Sequence, residues 1–177
     1  LEPDRIAGWG DSAGGHLVPL LGTSAGVPAL EVPGSGGDDA DGETGDGVDA
    51  RIQAVVDWYG PTDFLRMDEQ AEEVGCGDRA MAHSTAGSPE SRLVGGPITE
   101  HPDRVRTADP ITYVDGAEPP FLIQHGTADC VVPYPQSVLL RDALHAAGVG
   151  DVELDLLEGA GHGGPAFAAQ RNMARVL

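Results

Sequence analysis

A serine set among glycines, in the segment GWGDSAGGH at residues 8–16, constrains the fold more than any other part of the sequence. An apolar run precedes it and another follows, which indicates a strand, a very tight turn and a helix. Gly10, Ser12 and Gly14 make the G-x-S-x-G pattern of a nucleophile elbow, whose strained backbone projects the serine hydroxyl above a sheet. We expect glycine on both sides because a Cβ would clash there. An ordinary glycine-rich turn is the alternative, in a chain with 26 glycines.

Four apolar runs predict strands at residues 5–9, 52–59, 121–125 and 152–157. Each of the last three follows a stretch that contains helical spacing or chain breakers. This succession predicts an α/β fold with a parallel sheet flanked by helices. At 177 residues, the chain fits one domain with a sizeable core.

Apolar spacing predicts helices at residues 13–24 and 136–147, and a short helix at the end of the chain. Pro19 should perturb the first of them because proline lacks an N–H donor. Residues 64–117 have mixed polarity and many glycines and prolines. They predict short helices and loops that form a cap-like insertion over the sheet, where a substrate is shaped.

The net charge of −19 excludes two classes of partner, because nucleic acids and anionic membranes are bound through basic patches. All ten basic residues are arginines, which suits either a saline habitat or GC-rich coding. No apolar run reaches the roughly 20 residues that span a bilayer.

Residues 26–49 are interpreted as an acidic, glycine-rich surface loop. A calcium loop starting at Asp39 is disfavoured because Thr44 and Ala50 stand where glycine and glutamate are needed.

Two cysteines, Cys76 and Cys130, are too few for a disulfide scaffold or a four-cysteine zinc site. They form either one bridge, which would brace the loop that contains Cys130, or two free thiols. No cluster of histidine, cysteine and acidic residues has zinc-like spacing, and no glycine loop is of the phosphate-binding kind. The sequence therefore predicts neither a metal nor a cofactor.

Two further residues join Ser12 at one edge of the predicted sheet. Asp129 lies four residues beyond the third strand and His162 five residues beyond the fourth. Sites of parallel sheets lie at the carboxyl ends of the strands, so these side chains should converge. A histidine there takes the serine proton, and a carboxylate fixes its tautomer. A simple turn at Asp129 and an ordinary loop histidine at His162 are the alternatives.

The other histidines are weaker candidates. His16 lies one helical turn after Ser12, but its side chain should point away from the elbow. His125 ends a strand and is interpreted as a packing residue. The remaining three are interpreted as surface residues: His83, His101 and His145.

These motifs together resemble the α/β-hydrolase superfamily, in its esterase and lipase branch. The elbow segment at residues 10–17 is similar to that of BD-FAE-type (bifunctional feruloyl and acetylxylan esterase) and hormone-sensitive-lipase-like enzymes. The likeness runs over most of the chain outside the acidic loop, with further matching segments VDWYGPTD at 56–63, SPESRL at 88–93, PFLI at 120–123, HGTAD at 125–129, VP at 132–133, QS at 136–137 and GHG at 161–163.

The resemblance implies a carboxylesterase with Ser12 as nucleophile, Asp129 as acid and His162 as base. It also implies that the N–H of Ala13 is one oxyanion donor. Its substrates would be short acyl esters, including acetyl or feruloyl groups on plant polysaccharide. Peptide or amide hydrolysis with the same residues is one alternative, and an inactive fragment that acts as a binding module is another.

The resemblance also implies strands and a His-Gly-Gly oxyanion loop upstream of the elbow, which this sequence lacks. We therefore expect residues 1–177 to be the C-terminal part of the hydrolase domain. The oligomeric state and the cellular compartment stay open, with the cytoplasm favoured over secretion.

Overall fold

The computed structural model describes residues 5–27, 30 and 51–177, and its strands form one parallel sheet. Four strands lie in the order β1-β2-β3-β4. They are β1 Ala7–Asp11, β2 Ala54–Trp58, β3 Phe121–Gly126 and β4 Val152–Leu157. In register, Trp9 lies opposite Val56 and Ile123 lies opposite Leu154. The predicted α/β class and all four strands are confirmed, with β1 shifted two residues towards the C-terminus.

Burial explains the composition of the strands. The central strands β2 and β3 are buried over most of their length, as their unbroken apolar runs predict. The outer strand β1 exposes alternate positions. The outer strand β4 exposes Glu153 and Leu156, so the alternation predicted for it is not found.

Helices connect the strands and cover the sheet. They are α1 Ala13–Thr23, α2 Met67–Glu73, α3 Pro89–Val94, α4 Pro102–Ala108, α5 Pro135–Ala146, α6 Pro165–Ala168 and α7 Gln170–Val176, with short 3-10 turns at Phe64–Arg66, Gly77–Arg79, Ile98–Glu100 and Pro110–Tyr113. Proline opens four of the helices, where its missing N–H costs nothing. Pro19 lies inside α1, which nevertheless continues to Thr23. The carbonyl of Gly15 consequently lacks a helical donor.

The main core lies between the sheet and α5. Leu140 and Leu144 of α5 pack against Val55, Phe121 and Ile123 of the central strands, and none of these side chains is more than 2% exposed. Their burial holds β2 and β3 in register, which fixes where the loops after those strands emerge.

The insertion between β2 and β3 forms a second apolar core. Its members come from several short helices and from the loop after β3: Phe64, Met67, Val94, Ile98, Val105 and Val132. Short helices therefore occupy residues 64–117 as predicted, and the role of this insertion as a substrate cap stays a prediction. The acidic loop predicted at 26–49 lies outside the described residues except for positions 26, 27 and 30. Within the part of the chain that the structure describes, no helix has the length and apolarity to cross a bilayer.

Asp57 is a buried carboxyl group in the middle of the sheet. It is 1% exposed. Its Oδ1 accepts the Gly60 N–H at 2.8 Å, and its Oδ2 has no hydrogen-bond partner among the described residues. Burial raises the pKa of Asp57 from 3.8 to about 8, against the smaller opposing effect of the Gly60 hydrogen bond. The carboxyl group is therefore neutral in the folded protein around pH 7.

The buried acid gives stability a predictable pH dependence. The unfolded chain releases this proton near pH 3.8 and the folded chain near 8, so the folded state binds more protons in between. The contribution of the protonated Asp57 to the free energy of unfolding is therefore fully present below pH 3.8. It is lost as pH rises through about 8. We expect Asp57→Asn to flatten the fall in unfolding free energy between those limits, as measured by urea denaturation. Asp142→Asn, at an exposed site, is the control; equal slopes in all three proteins would contradict the assignment.

Candidate active site

Ser12 occupies a strained turn between β1 and α1. Its backbone has φ 52° and ψ −117°, a left-handed φ that a side chain rarely adopts. The Ser12 N–H donates to the Trp58 carbonyl at 2.9 Å, which ties the turn to the end of β2. A Cβ on Gly10 would lie 2.2 Å from the Gly14 carbonyl oxygen, so glycine is required at position 10. The expected clash at position 14 is wrong, because a Cβ there would meet nothing within 4 Å.

The structure brings Ser12, His162 and Asp129 together. His162 Nε2 lies 2.8 Å from Ser12 Oγ, and His162 Nδ1 lies 2.7 Å from Asp129 Oδ2. A carboxylate oxygen only accepts, so Nδ1 carries the ring proton. Nε2 then presents its lone pair to the serine hydroxyl, which is the arrangement that removes a proton from Oγ.

Asp129 is anchored by the loop after β3. It is fully buried, and its Oδ1 accepts the N–H groups of Val131 at 2.8 Å and Val132 at 3.0 Å. Burial alone would raise its pKa, but hydrogen bonds from His125 and His162 more than offset this and hold the pKa at about 2. The group is therefore a carboxylate at any pH at which the protein would work.

His125 supports that carboxylate, a role that the packing interpretation missed. Its Nε2 lies 2.9 Å from the Val132 carbonyl oxygen and 3.3 Å from Asp129 Oδ2. Both neighbours accept, so Nε2 carries the proton, and Nδ1 can accept from the Ser137 hydroxyl at 2.7 Å. The sequence feature that could have indicated this role is the four-residue spacing between His125 and Asp129, across the end of β3.

Tyr59 is a second residue that the sequence did not single out. It also has a left-handed backbone, with φ 46°, and its ring packs edge-on against His162 with centroids 4.7 Å apart. Its hydroxyl donates to Asp11 Oδ2 at 3.3 Å. Burial, which is the larger effect, and the nearby charge of Asp11 raise the pKa of Tyr59 to about 12. The ring thus remains a neutral phenol that limits the movement of the imidazole.

Ala13 is the first residue of α1. An N–H at this helical position has no acceptor within the helix, and the helix dipole favours negative charge beside it. The predicted oxyanion role of Ala13 is compatible with this position. In the described part of the chain, no three histidine, cysteine or acidic side chains are grouped as metal ligands.

The remaining histidines differ in their surroundings. His16 is buried, with its ring directed to the Pro61 carbonyl at 2.9 Å rather than to Ser12. The surface interpretation of His83 is wrong, because its side chain is 1% exposed and lies 2.8 Å from the Val131 carbonyl oxygen. His101 is half-buried, and His145 is exposed as predicted.

The disulfide alternative for the cysteines is the one found. Cys76 and Cys130 are bridged, with their Cα atoms 5.6 Å apart, and Cys130 directly follows Asp129. The Met81 N–H donates to the Cys130 carbonyl at 3.0 Å. Together with the His83 contact, these links fasten the insertion to the loop that carries the acid.

Removing the bridge should loosen the acid loop. We expect the Cys76→Ala/Cys130→Ala variant to lose about 2 to 4 kcal/mol of unfolding free energy, because the bridge closes a long loop. For the ester hydrolysis proposed below, kcat should fall as well, because Asp129 would be displaced from His162. Denaturation and steady-state kinetics measure both effects. A reductant should reproduce them in the wild type and change nothing in the variant; an unchanged wild type would contradict the brace.

Comparison with known proteins identifies the family of this chain. The sequence profile of the family described as BD-FAE matches residues 1–144. The esterase LipC of Mycobacterium tuberculosis is 34% identical over 160 residues, which cover 89% of this chain and 34% of LipC. The chain thus spans about a third of the length of this curated relative.

Solved structures give a similar result. A truncated carbohydrate esterase from gut microbiota superposes with a TM-score of 0.76 and 33% identity, over 99% of this chain and 58% of that protein. A bifunctional GH43-CE protein of Bacteroides eggerthii has a TM-score of 0.71 and 34% identity, over 95% of this chain and 20% of that protein. The fold is therefore that of the α/β-hydrolase esterases.

Proposed function

The chain belongs to the BD-FAE family, and we propose that it carries the catalytic centre of a serine carboxylic-ester hydrolase. The observation that carries the proposal is the continuous contact from Ser12 Oγ through His162 to Asp129, at 2.8 and 2.7 Å. A left-handed serine backbone supports it, since strain of this kind is retained where function needs it.

In the first half of the reaction, Ser12 Oγ attacks the ester carbonyl carbon while His162 Nε2 takes the hydroxyl proton. The carbonyl oxygen becomes negative and accepts from the Ala13 N–H at the start of α1. The carboxylate of Asp129 stabilises the imidazolium. The C–O bond to the alcohol then breaks, and His162 Nε2 returns the proton to the departing oxygen, leaving an acyl group on Ser12.

In the second half, a water molecule replaces the alcohol. His162 Nε2 takes one proton from the water as its oxygen attacks the acyl carbon. Collapse of this intermediate breaks the bond to Ser12 Oγ, which recovers its proton from His162. The acid is released and the starting state is restored.

For the substrate, we propose short acyl esters, with acetyl or feruloyl groups on plant polysaccharide as the favoured class. The similarity to a carbohydrate esterase from gut microbiota supports a carbohydrate alcohol. Such substrates are uncharged at the ester, so the acidic surface that disfavours nucleic acids does not oppose them.

A substrate panel tests the proposal on the full-length protein. We expect turnover of 4-nitrophenyl acetate and butyrate and release of acetate or ferulate from esterified xylan fragments. Aminoacyl 4-nitroanilides should be cleaved far more slowly. Preferential cleavage of the anilides would establish the peptidase alternative. Binding of xylan fragments without cleavage of any ester would establish the binding-module alternative.

A further inference from the structure

His83 belongs to the insertion and contacts the loop after β3 that carries Asp129. Its side chain is 1% exposed, and its Nε2 lies 2.8 Å from the Val131 carbonyl oxygen. Because a carbonyl only accepts, Nε2 carries a proton and donates it. The backbone of His83 is held as well, since its N–H donates to Asp68 Oδ1 at 2.7 Å. A buried titratable side chain that the proposed reaction does not use is thus fixed against the loop that carries the acid.

Glu90 supplies a negative charge beside His83. It is 7% exposed, and its Oε1 lies 3.1 Å from His83 Nδ1, as an ion pair rather than an aligned hydrogen bond. Burial alone would lower the pKa of His83, but the contact with Glu90, the Val131 bond and the Asp68 charge together raise the pKa above 6.5. Burial would raise the pKa of Glu90, but His83 more than offsets it and holds that pKa low. The pair is therefore an imidazolium and a carboxylate.

One peptide group joins His83 to Asp129. The carbonyl that accepts from His83 belongs to the peptide between Val131 and Val132. The N–H of the same peptide, on Val132, donates to Asp129 Oδ1 at 3.0 Å. The peptide is trans, so its C=O and N–H point in opposite directions, and the imidazolium and the carboxylate lie at its two ends. A charged donor at the carbonyl draws electron density towards that oxygen and makes the N–H a stronger donor.

The carboxylate that receives this bond is the one that contacts His162. Asp129 Oδ2 lies 2.7 Å from His162 Nδ1, while Oδ1 accepts from the Val131 and Val132 N–H groups. The direction of Oδ2 therefore depends on where these two N–H groups lie. A rotation of the peptide between Val131 and Val132 would turn the carboxylate and lengthen its bond to His162, and the hydrogen bond from His83 opposes that rotation.

We propose that His83, paired with Glu90, is a positioning residue that orients and polarises the peptide between Val131 and Val132 and so directs Asp129 towards His162. The inference rests on the proposed ester hydrolysis and adds that the insertion contributes to the reaction rate. His83 acts through this peptide and takes no part in the bond changes.

Three variants that share Glu90→Gln test the role on the full-length protein. The shared change leaves no buried carboxylate unbalanced when His83 is replaced. The first variant keeps His83, the second adds His83→Gln, whose amide N–H can still donate to the Val131 carbonyl, and the third adds His83→Leu, which cannot donate. Every rate is referred to the folded fraction, measured by circular dichroism, so that lost fold is not counted as lost rate.

The expected loss is in kcat on 4-nitrophenyl butyrate. We expect adding His83→Leu to lower kcat about tenfold below Glu90→Gln alone, within the range that a small displacement of a catalytic group costs. KM should change little, because substrate binding is not affected. His83→Gln should restore most of kcat, since it restores the donor. The control is His145→Leu, at an exposed histidine, which should keep the wild-type kcat.

A mutant cycle with Asp129→Ala separates positioning from a general loss of structure. Without a carboxylate at position 129, His83 has nothing to direct, so His83→Leu should no longer change kcat. A merely structural role would lower kcat by the same factor in both backgrounds.

The possible failures are distinct. An unchanged kcat on adding His83→Leu, or an equal loss with and without Asp129, would overturn the positioning role while ester hydrolysis stands. If the His83→Leu variant does not fold, Glu90→Gln against the wild type decides instead. An uncharged imidazole is the weaker donor, so kcat should fall about threefold with Asp129 present and stay unchanged with Asp129→Ala; any other result overturns the role. Cleavage of no ester by the wild type would overturn the proposed function itself, and the positioning role with it.

Discussion

Replacing Ser12 with alanine should lower ester turnover by a factor of about 10⁴ to 10⁶. The variant keeps the strained turn but lacks the oxygen that would form the acyl-enzyme, and no other hydroxyl among the described residues contacts His162 Nε2. Steady-state rates on 4-nitrophenyl butyrate measure the loss, and mass spectrometry of quenched reactions detects the acyl group on the wild type.

The exposed Ser84 provides the matched control. Ser84→Ala should retain the wild-type rate. Near-normal hydrolysis by Ser12→Ala, or an acyl group found on another residue in the wild type, would remove Ser12 from the mechanism.

The second large effect is expected at the acid. Asp129→Asn should lower kcat about 10⁴-fold near pH 7 with little change in KM. An asparagine amide facing His162 Nδ1 can donate, which favours the tautomer whose Nε2 carries the proton and cannot take one from Ser12. Its Oδ1 can still accept from Val131 and Val132, so the turn should persist.

This variant should also change the pH dependence of stability. The low pKa of Asp129 stabilises the folded state above the ordinary aspartate pKa, and that contribution disappears as pH falls through about 2. Asp129→Asn should therefore be less stable than the wild type at neutral pH, and the difference should shrink in acid.

The control for the loss of kcat is Asp109→Asn, because Asp109 caps a turn through Ile111 N–H at 2.9 Å without contacting a histidine. A kcat loss equal to that of Asp109→Asn would contradict the role of Asp129.

The strands and the meeting of Ser12, Asp129 and His162 were predictable for one physical reason. A strand buried on both faces must be apolar along its length, so β2 and β3 stand out in the sequence. In a parallel sheet, the carboxyl ends of all the strands lie at the same edge. Residues 150 positions apart, Ser12 and His162, then come within hydrogen-bond distance.

The surroundings of these three residues could not be predicted in the same way. His83 contacts Val131 across 48 positions, and the cysteine bridge spans 54. Both depend on how the insertion folds back, and irregular segments have no periodicity that specifies such a path. A pocket beside Ala13, which His16 and Glu90 line, could not be predicted either, because helix α3 of the insertion forms one of its walls.

The backbone of Tyr59 sets one limit on engineering this protein. Its left-handed φ of 46° costs free energy that glycine would not incur. The side chain is only 7% exposed, however, and removing a buried aromatic ring costs more, about 3 kcal/mol or above, so Tyr59→Gly should lower the free energy of unfolding. The same substitution removes the ring that holds His162 in place. Stability and the placement of His162 therefore depend on the same ring, and the strained backbone at position 59 is kept because that ring must lie there.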